Sequence, residues 1–319
     1  MRIFFENGIH LQEGIREVVL DPRKPCPGSV VSHAHLDHLT SGGVMTPATR
    51  DIMRARLGRG EGHCVPYGET TSVSGHEVRL LNAGHVLGSA MIQVGDVLYS
   101  GDVNPEGGLT CGSAEPTPCE TLILEATYGR SMFRFPPKAE VMEDLLGWVE
   151  AATMEGPVAV GAYEFGKAQE IMALVQRARM QVVVTDKIAE ISEVFTRHGN
   201  PLTFRRFSDL SPEERKGAYV FVVPRRMLKA PGSPEVRELK QAGGKTCFVS
   251  GWCTIYNLKP SLDLDAQFPI SDHADYEGLI EFAGACSPKR VYTCHGYNED
   301  LAKGIRDRHG IEAIPLGSH

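Results

Sequence analysis

Short apolar segments separated by turns make up most of the first 135 residues. Residues 76–81 alternate apolar and polar side chains, which is the period of a strand with one buried face. Residues 90–94 and 97–100 flank a Gly-Asp pair, a combination typical of hairpin turns. Residues 121–125 form another apolar strand, which ends on the carboxylate of Glu125. The pattern predicts a β-rich region at the start of the chain.

The periodicity changes after residue 135, where strands begin to alternate with helices. Residues 138–152 place their apolar side chains on one helical face. The segments that follow are predicted as a strand at 157–160, a helix at 167–179, a strand at 181–185, a helix at 188–198 and a strand at 218–223. Such alternation implies βαβ units around a parallel sheet. This middle segment is therefore predicted to be a separate α/β unit.

The chain is predicted to return to its first region near residue 245. A strand at 246–249 precedes a helix at 276–285, a strand at 290–293 and a helix at 298–308. We therefore predict two domains. The first consists of residues 1–135 and 245–319, and the second is an α/β insertion at 136–244.

Composition indicates the cellular location of the protein but does not identify its binding partner. The chain has 319 residues, of which 42% are hydrophobic, and no apolar run approaches the roughly 20 residues that span a bilayer. Glu6 interrupts the apolar N-terminus, so a signal peptide is not indicated and we expect a cytoplasmic protein with no membrane partner. The eight cysteines are scattered without a C-x-x-C pair, which favours reduced thiols. The net charge of −7 argues against a nucleic-acid partner. However, the carboxylates of a metal site would inflate the acidic count, so net charge alone does not decide the partner.

The strongest chemical signal is the cluster Ser32-His33-Ala-His35-Leu-Asp37-His38, which directly follows an apolar segment. Three imidazoles and a carboxylate are costly to bury unless they bind something. On extended backbone His33 and His35 point the same way, whereas Asp37 and His38 turn toward a second point. This arrangement suits two neighbouring divalent cations, with zinc favoured and manganese or iron as alternatives. The competing interpretation is a polar surface loop that happens to be rich in histidine.

Four further residues could complete such a site. His85 lies in a glycine-flanked loop, and Asp102 ends a predicted strand, where its two oxygens could bridge two metals. His273 and His295 each fall between a predicted strand and a predicted helix, where active-site loops concentrate. Each of these residues alone would more simply be interpreted as structural or as part of a surface turn.

The order of these motifs resembles the metallo-β-lactamase superfamily, and the two downstream histidines with the α/β insertion resemble its β-CASP nucleases. The resemblance implies a metallo-β-lactamase αββα sandwich with an inserted α/β β-CASP domain. The sequence is most similar to DNA ligase-associated exonucleases and to archaeal mRNA 3′-end processing factors. Three stretches carry that likeness: Glu125-Ala-Thr-Tyr-Gly129, Ser250-Gly-Trp252 and Ser271-Asp-His-Ala-Asp-Tyr276.

The resemblance also implies a role for each candidate residue. One metal would be held by His33, His35, His85 and Asp102, and a second by Asp37, His38, Asp102 and His295. Asp37 would also count among the catalytic residues. His273 would be the general acid, oriented and kept protonated by Glu125, because a nearby carboxylate favours the imidazolium form.

The substrate implied by the resemblance is nucleic acid, with DNA favoured over RNA. We expect a 5′→3′ exonuclease acting on single-stranded DNA, in a repair pathway with a DNA ligase or a helicase as a partner. The substrate-binding candidates are Thr127 and Ser271 for a terminal 5′-phosphate, Tyr128 for base stacking, and Arg130 and Lys167 for backbone phosphates. The alternatives are an RNA exonuclease or endonuclease of the mRNA 3′-end processing type and a non-catalytic nucleic-acid-binding subunit. For the aromatic and basic residues, core packing and solvated charge are the competing interpretations.

Overall fold

The computed structural model describes residues 1–38 and 40–317, so the last two residues of the predicted range 245–319 lie outside the described part. The strands are β1 (Arg2–Phe5), β2 (Ile9–Glu13), β3 (Arg16–Leu20), β4 (Ser29–Val30), β5 (Val44–Met45), β6 (His63–Cys64), β7 (Thr70–Val73), β8 (His76–Asn82), β9 (Ala90–Val94), β10 (Val97–Tyr99), β11 (Thr121–Glu125), β12 (Val158–Ala162), β13 (Val182–Val184), β14 (Arg205–Arg206), β15 (Val220–Pro224), β16 (Lys245–Val249), β17 (Ala266–Phe268), β18 (Arg290–Cys294) and β19 (Glu312–Pro315). The α-helices are α1 (Pro47–Leu57), α2 (Lys138–Thr153), α3 (Lys167–Arg177), α4 (Asp186–Arg197), α5 (Arg225–Leu228), α6 (Pro234–Gln241), α7 (Lys259–Leu262), α8 (Tyr276–Ala285) and α9 (Asn298–His309).

The chain folds into two compact units. The first contains residues 1–134 and the chain from Asp272 onward, and the second spans Phe135–Ser271. The boundary predicted between residues 244 and 245 is wrong, because β16 pairs in parallel with β12 and β17 continues the same sheet. A short apolar strand does not reveal its partner from sequence, so β16 could equally have belonged to either sheet.

The first unit is built on two sheets. The strand order is β1-β2-β3-β4-β5-β6 in one sheet and β19-β18-β11-β10-β9-β8-β7 in the other. Apolar side chains of both sheets, such as Val18 and Ile92, form one buried cluster, as the alternation along β8 predicts. A second cluster, including Leu122 and Leu279, joins the opposite face of the seven-stranded sheet to α8 and α9. The sheets therefore pack on each other, with helices covering an outer face.

Parallel strands bring distant residues to one edge of this sheet. β10, β11 and β18 run parallel, with Tyr99 opposite Ile123 and Glu125 opposite Cys294. Their carboxyl ends therefore lie side by side. The segments that begin at these ends contain Asp102, Glu125 and His295, so the sheet alone collects three candidate site residues.

The second unit is a six-stranded sheet in which every pair of neighbouring strands is parallel, in the order β14-β13-β15-β12-β16-β17. β12 and β15 are buried along their whole length. Continuous apolar strands are typical of a parallel sheet covered on both faces, so the predicted α/β character of the insertion is confirmed.

No α-helix in the described ranges is both long and apolar enough to cross a membrane. All eight cysteines are free thiols, as their scattered positions predict.

Candidate metal centre

Four donor atoms of the first predicted set converge in the first unit. The Nδ1 atom of His35 lies 3.0 Å from Nε2 of His33 and 3.1 Å from Nε2 of His85. Oδ2 of Asp102 lies 3.3 Å from Nε2 of His33 and 3.5 Å from Nε2 of His85. Nitrogen and oxygen ligands about 2.0–2.1 Å from a tetrahedral zinc ion are separated from one another by about 3.3 Å. The spacing and chemistry of these donors therefore fit zinc.

The outer nitrogens of two of these histidines make hydrogen bonds that aim the inner nitrogens at the site. Nδ1 of His33 lies 2.9 Å from the Ser32 hydroxyl, and Nδ1 of His85 lies 2.9 Å from the Asp272 carbonyl oxygen. A carbonyl oxygen only accepts, so His85 donates through Nδ1. The unprotonated Nε2 then faces the cluster, which is the form that binds a metal.

The carboxylate of Asp21 contacts the candidate ligand His38, which the sequence did not indicate. It is buried at the end of β3 and accepts hydrogen bonds from the amide and hydroxyl of Ser32, each at 2.6 Å. It also accepts from Nδ1 of His38 at 2.8 Å and from the Tyr99 hydroxyl at 2.9 Å. Burial acts to raise the pKa of Asp21, but His38, followed by His33 and Ser32, outweighs burial and lowers the pKa. The available signal was an apolar strand ending on a carboxylate, the same feature that singled out Glu125.

The second predicted metal set is brought together less closely. Nε2 of His38 lies 3.4 Å from Oδ1 of Asp102 and 3.7 Å from Oδ2 of Asp37, whose side chain is 81% exposed. The His295 ring centroid is 4.9 Å from that of His38, and its Nε2 lies 3.2 Å from the Tyr99 hydroxyl. Within residues 1–38 and 40–317, no group of three or more donors that all lie within 4.8 Å of one another includes His38, Asp37 or His295. Asp37 is thus at the rim of the cluster.

Asp102 joins the two sets. Its Oδ2 faces His33 and His85, whereas its Oδ1 faces His38. Burial acts to raise the pKa of Asp102, but the charges of His38 and His33 dominate and hold it well below the usual range. The carboxylate is therefore ionised and offers one oxygen to each set.

His273 and Glu125 form a buried pair beside the cluster. Nδ1 of His273 lies 2.9 Å and 3.0 Å from the two carboxylate oxygens of Glu125, which also accepts the Val103 amide at 2.7 Å. Nε2 of His273 lies 3.9 Å from Oδ2 of Asp102. Burial acts to lower the pKa of His273, but Glu125 and then Asp102 raise it to about 9. The ring is therefore an imidazolium at neutral pH, with Nε2 on the side of the cluster.

Asp102, Glu125 and His273 also offer three ligand atoms within 4.8 Å of one another, so this trio could itself hold a metal ion. The geometry thus leaves two roles for His273, as a proton donor or as a ligand.

Two of the predicted substrate contacts in the first unit, Tyr128 and Arg130, differ in their exposure. Tyr128 is only 3% exposed, and its ring packs edge-on against Phe133 and His273 at 5.1 and 5.8 Å between centroids. Base stacking by Tyr128 is therefore corrected to a packing role. The Arg130 guanidinium is half exposed and lies over the Tyr297 ring, with Nε bonded to Asp300 at 2.7 Å.

Thr127 adjoins the His295 segment. Its hydroxyl lies 3.4 Å from the His295 carbonyl oxygen, a weak hydrogen bond at best. A phosphate contact by Thr127 stays a prediction.

The remaining two substrate candidates belong to the second unit. Lys167 is 2% exposed, and its ammonium is 3.1 Å from a carboxylate oxygen of Glu170. A backbone-phosphate contact by Lys167 is therefore corrected to a buried ion pair, because its charge is already matched within the unit. Ser271 is also buried, and its contact with a terminal phosphate stays a prediction.

Comparisons with known proteins match this chain to one family model and to several relatives. A family model described as "Zn-dependent metallo-hydrolase RNA specificity domain" matches residues 266–315. A "Probable DNA ligase" of Opitutus terrae is 32% identical over 93% of this chain and 29% of its own length. "Transcription termination factor FttA" of Methanocaldococcus jannaschii is 33% identical over 48% of this chain and 31% of its own. "RNase aCSPSF2" of Saccharolobus solfataricus is 28% identical over 90% of this chain and 73% of its own. The chain thus spans less than a third of the first two relatives.

A crystal structure of a protein of unknown function from Enterococcus faecalis V583 has the same fold. It superposes with a TM-score of 0.63 over 91% of this chain and 80% of its own, at 14% identity. At that identity, the likeness shows the fold alone.

Proposed function

Because the chain belongs to the metallo-β-lactamase β-CASP nuclease family, we propose that it is a metal-dependent nuclease hydrolysing phosphodiester bonds. The metallo-β-lactamase fold with an α/β β-CASP insertion, predicted from the sequence, is confirmed. The observation that carries the proposal is the convergence of His33, His35, His85 and Asp102 beside the His273–Glu125 pair.

The proposed site holds two divalent cations, with zinc favoured over manganese or iron. His33, His35, His85 and Asp102 would hold one, and His38, Asp102, Asp37 and His295 the other. Such cations, when bound, would polarise phosphate oxygens and lower the pKa of a coordinated water molecule to near neutrality. The protein's part is to fix the donors, and the buried Asp21 does so by bonding both Ser32 and His38.

His273 is proposed to be the general acid. Its Nδ1 keeps its proton and donates a hydrogen bond to Glu125, while Nε2, on the cluster side, gives its proton to the leaving oxygen of the cleaved ester. The pKa of about 9 keeps the imidazolium populated at neutral pH. Glu125 acts through His273 and is therefore a positioning residue.

We propose that the substrate is single-stranded DNA and that the protein degrades it as a 5′→3′ exonuclease. The support is the DNA ligase relative, whose likeness extends over 93% of this chain. A DNA ligase or a helicase is the proposed partner. Thr127 and Ser271 are the proposed contacts of a terminal 5′-phosphate, with Arg130 as a backbone contact.

RNA is the second candidate substrate, and two specific observations support it. The family model described as an RNA specificity domain matches residues 266–315, which include His273 and His295. One relative is named an RNase and another a transcription termination factor. The non-catalytic alternative is disfavoured because every candidate ligand is present and the first set converges.

A cleavage assay tests the proposal. Purified protein with Zn²⁺ or Mn²⁺ is incubated with end-labelled single-stranded DNA and RNA of one sequence, each with a 5′-phosphate or a 5′-hydroxyl. We expect metal-dependent cleavage that the Asp102→Asn variant loses, with DNA preferred and 5′-phosphate ends faster. Faster RNA cleavage would favour the second candidate, and equal rates on both ends would remove the phosphate contacts. The absence of cleavage of either polymer would overturn the nuclease proposal.

A further inference from the structure

Helix α1 contributes no candidate ligand, yet each of its ends is bonded to a loop that carries ligands. At its start, the hydroxyls of Thr46 and Thr49 each lie 2.8 Å from the carbonyl oxygen of Gly88. Gly88 lies in the loop between β8 and β9, which also contains His85. At the other end, Nη1 of Arg56 donates a hydrogen bond to the carbonyl oxygen of Ala34.

The contact at the start of α1 is close and buried. Thr46 caps the helix by accepting the Thr49 amide at 3.1 Å, and both threonines are buried. Gly88 has a φ of +86°, and a Cβ there would lie 2.6 Å from the Thr49 amide nitrogen. Only glycine permits this approach, so the backbone of the His85 loop rests directly on the first turn of the helix.

The contact at the end of α1 reaches the other ligand loop. Ala34 is buried between His33 and His35, whose donor atoms are 3.0 Å apart. A bond to the Ala34 carbonyl fixes the peptide that joins these two ligands. Arg54, two residues earlier on the helix, bonds instead to the Gly60 carbonyl at 3.0 Å, beyond the helix end.

The length of α1 sets a fixed separation between these contacts. Its 11 residues form a rod of about 16 Å. The donor atoms of His35 and His85, one from each loop, are 3.1 Å apart. An error of a few tenths of an ångström in the position of one loop would therefore change the metal geometry, because zinc–ligand distances are held within about 0.2 Å.

We propose that α1 is a brace that sets the relative position of the two ligand loops, with Arg56 as the positioning residue for His33 and His35. The inference rests on the proposed metal site. Loss of a group that orients metal ligands typically weakens metal affinity or activity by about 10–100-fold.

Zinc affinity of the full-length protein tests the brace without using activity. Metal-free wild type, Arg56→Met and Arg54→Met are titrated with Zn²⁺ against a chromogenic chelator, and their metal-free thermal unfolding is recorded. Arg54→Met is the matched control, because it removes a guanidinium from the same helix without touching a ligand loop. We expect about 10–100-fold weaker zinc binding in Arg56→Met and wild-type binding in Arg54→Met.

The outcomes separate the brace from the metal site itself. If wild type fails to bind zinc, the proposed function is overturned together with the brace. If wild type binds zinc and Arg56→Met binds it equally well, or the two variants weaken alike, only the brace is overturned. Should metal-free Arg56→Met not fold, the double variant Thr46→Val/Thr49→Val decides instead, because it removes both hydroxyl contacts with the Gly88 carbonyl oxygen at the other end of α1. Wild-type affinity in that variant would then contradict the brace.

Discussion

The Nδ1 atom of His273 lies 2.9 Å from a carboxylate oxygen of Glu125, although 148 positions separate the two residues in sequence. Glu125 ends β11, and its carboxylate is fully buried. A buried carboxylate needs a partner, and the imidazolium supplies it. The ion pair between the two residues therefore depends on the protonation of His273.

Replacing Glu125 by Gln should move the pH dependence of cleavage. Glu125, followed by Asp102, raises the pKa of His273 to about 9, so the acid is available below that pH and is lost as the pH rises through it. Without the carboxylate the pKa falls, and the alkaline limb of kcat/KM shifts to lower pH. At pH 8 we expect the rate of Glu125→Gln to fall by about tenfold or more, since each pKa unit is about 1.36 kcal/mol. A limb that stays in place in the variant would exclude this role of Glu125.

Metal content distinguishes an acid from a ligand at His273. We expect His273→Ala to lose about 10²–10⁴-fold in kcat while its zinc content, measured by elemental analysis, stays at the wild-type level. His35→Ala is the matched comparison and should lose a metal equivalent, because its Nδ1 lies among the converging donors. Loss of metal from His273→Ala would instead assign zinc to the trio Asp102, Glu125 and His273.

The first metal set could be anticipated because its signals are local. His33 and His35 alternate in sequence, and Asp102 follows an apolar strand, so sequence spacing alone indicates where they point. Helix α8 was likewise predicted with the bounds that the structure has, at 276–285.

What sequence could not supply depends on contacts between distant segments. Asp21 directly follows the apolar strand β3, but nothing in the neighbouring sequence indicates that it contacts His38. The burial of Tyr128 and the ion pair of Lys167 with Glu170 also follow from packing, which composition does not reveal. Helix α1 was missed, although Thr46 and Pro47 are ordinary signals of a helix start.

Substituting Asp21 by Asn should destabilise the metal-free protein. The amide cannot accept hydrogen bonds at both of its ends, so the buried donors of Ser32, His38 and Tyr99 cannot all be satisfied. Removing one member of a buried ion pair costs about 3–5 kcal/mol. Thermal unfolding of metal-free Asp21→Asn should show a loss of this order. Asp51→Asn, at a partly exposed ion pair with Arg50, should change stability by less than about 1 kcal/mol. Similar losses in the two variants would contradict a special role for Asp21.

Substituting Gly296 by Ala should displace the backbone that carries site residues. Gly296 follows His295 and has a φ of +154°, and a Cβ there would lie 2.0 Å from the carbonyl oxygen of Ala126. Ala126 directly follows Glu125, so relieving the clash must move the segment carrying Glu125, the one carrying His295, or both. We expect lower stability and at least a tenfold loss of cleavage, since a displacement of about 1 Å at an active site can cost 10²-fold.

Gly310→Ala is the control for the loss of glycine itself. Gly310 has a φ of +66° at the end of α9, and a Cβ there would meet no atom within 4 Å. This variant should lose about 1–2 kcal/mol for the left-handed conformation and keep its cleavage rate. Thermal unfolding and kcat measured side by side then separate backbone strain from the steric clash. If Gly296→Ala behaves like Gly310→Ala in both measurements, close packing against Ala126 does not position the site.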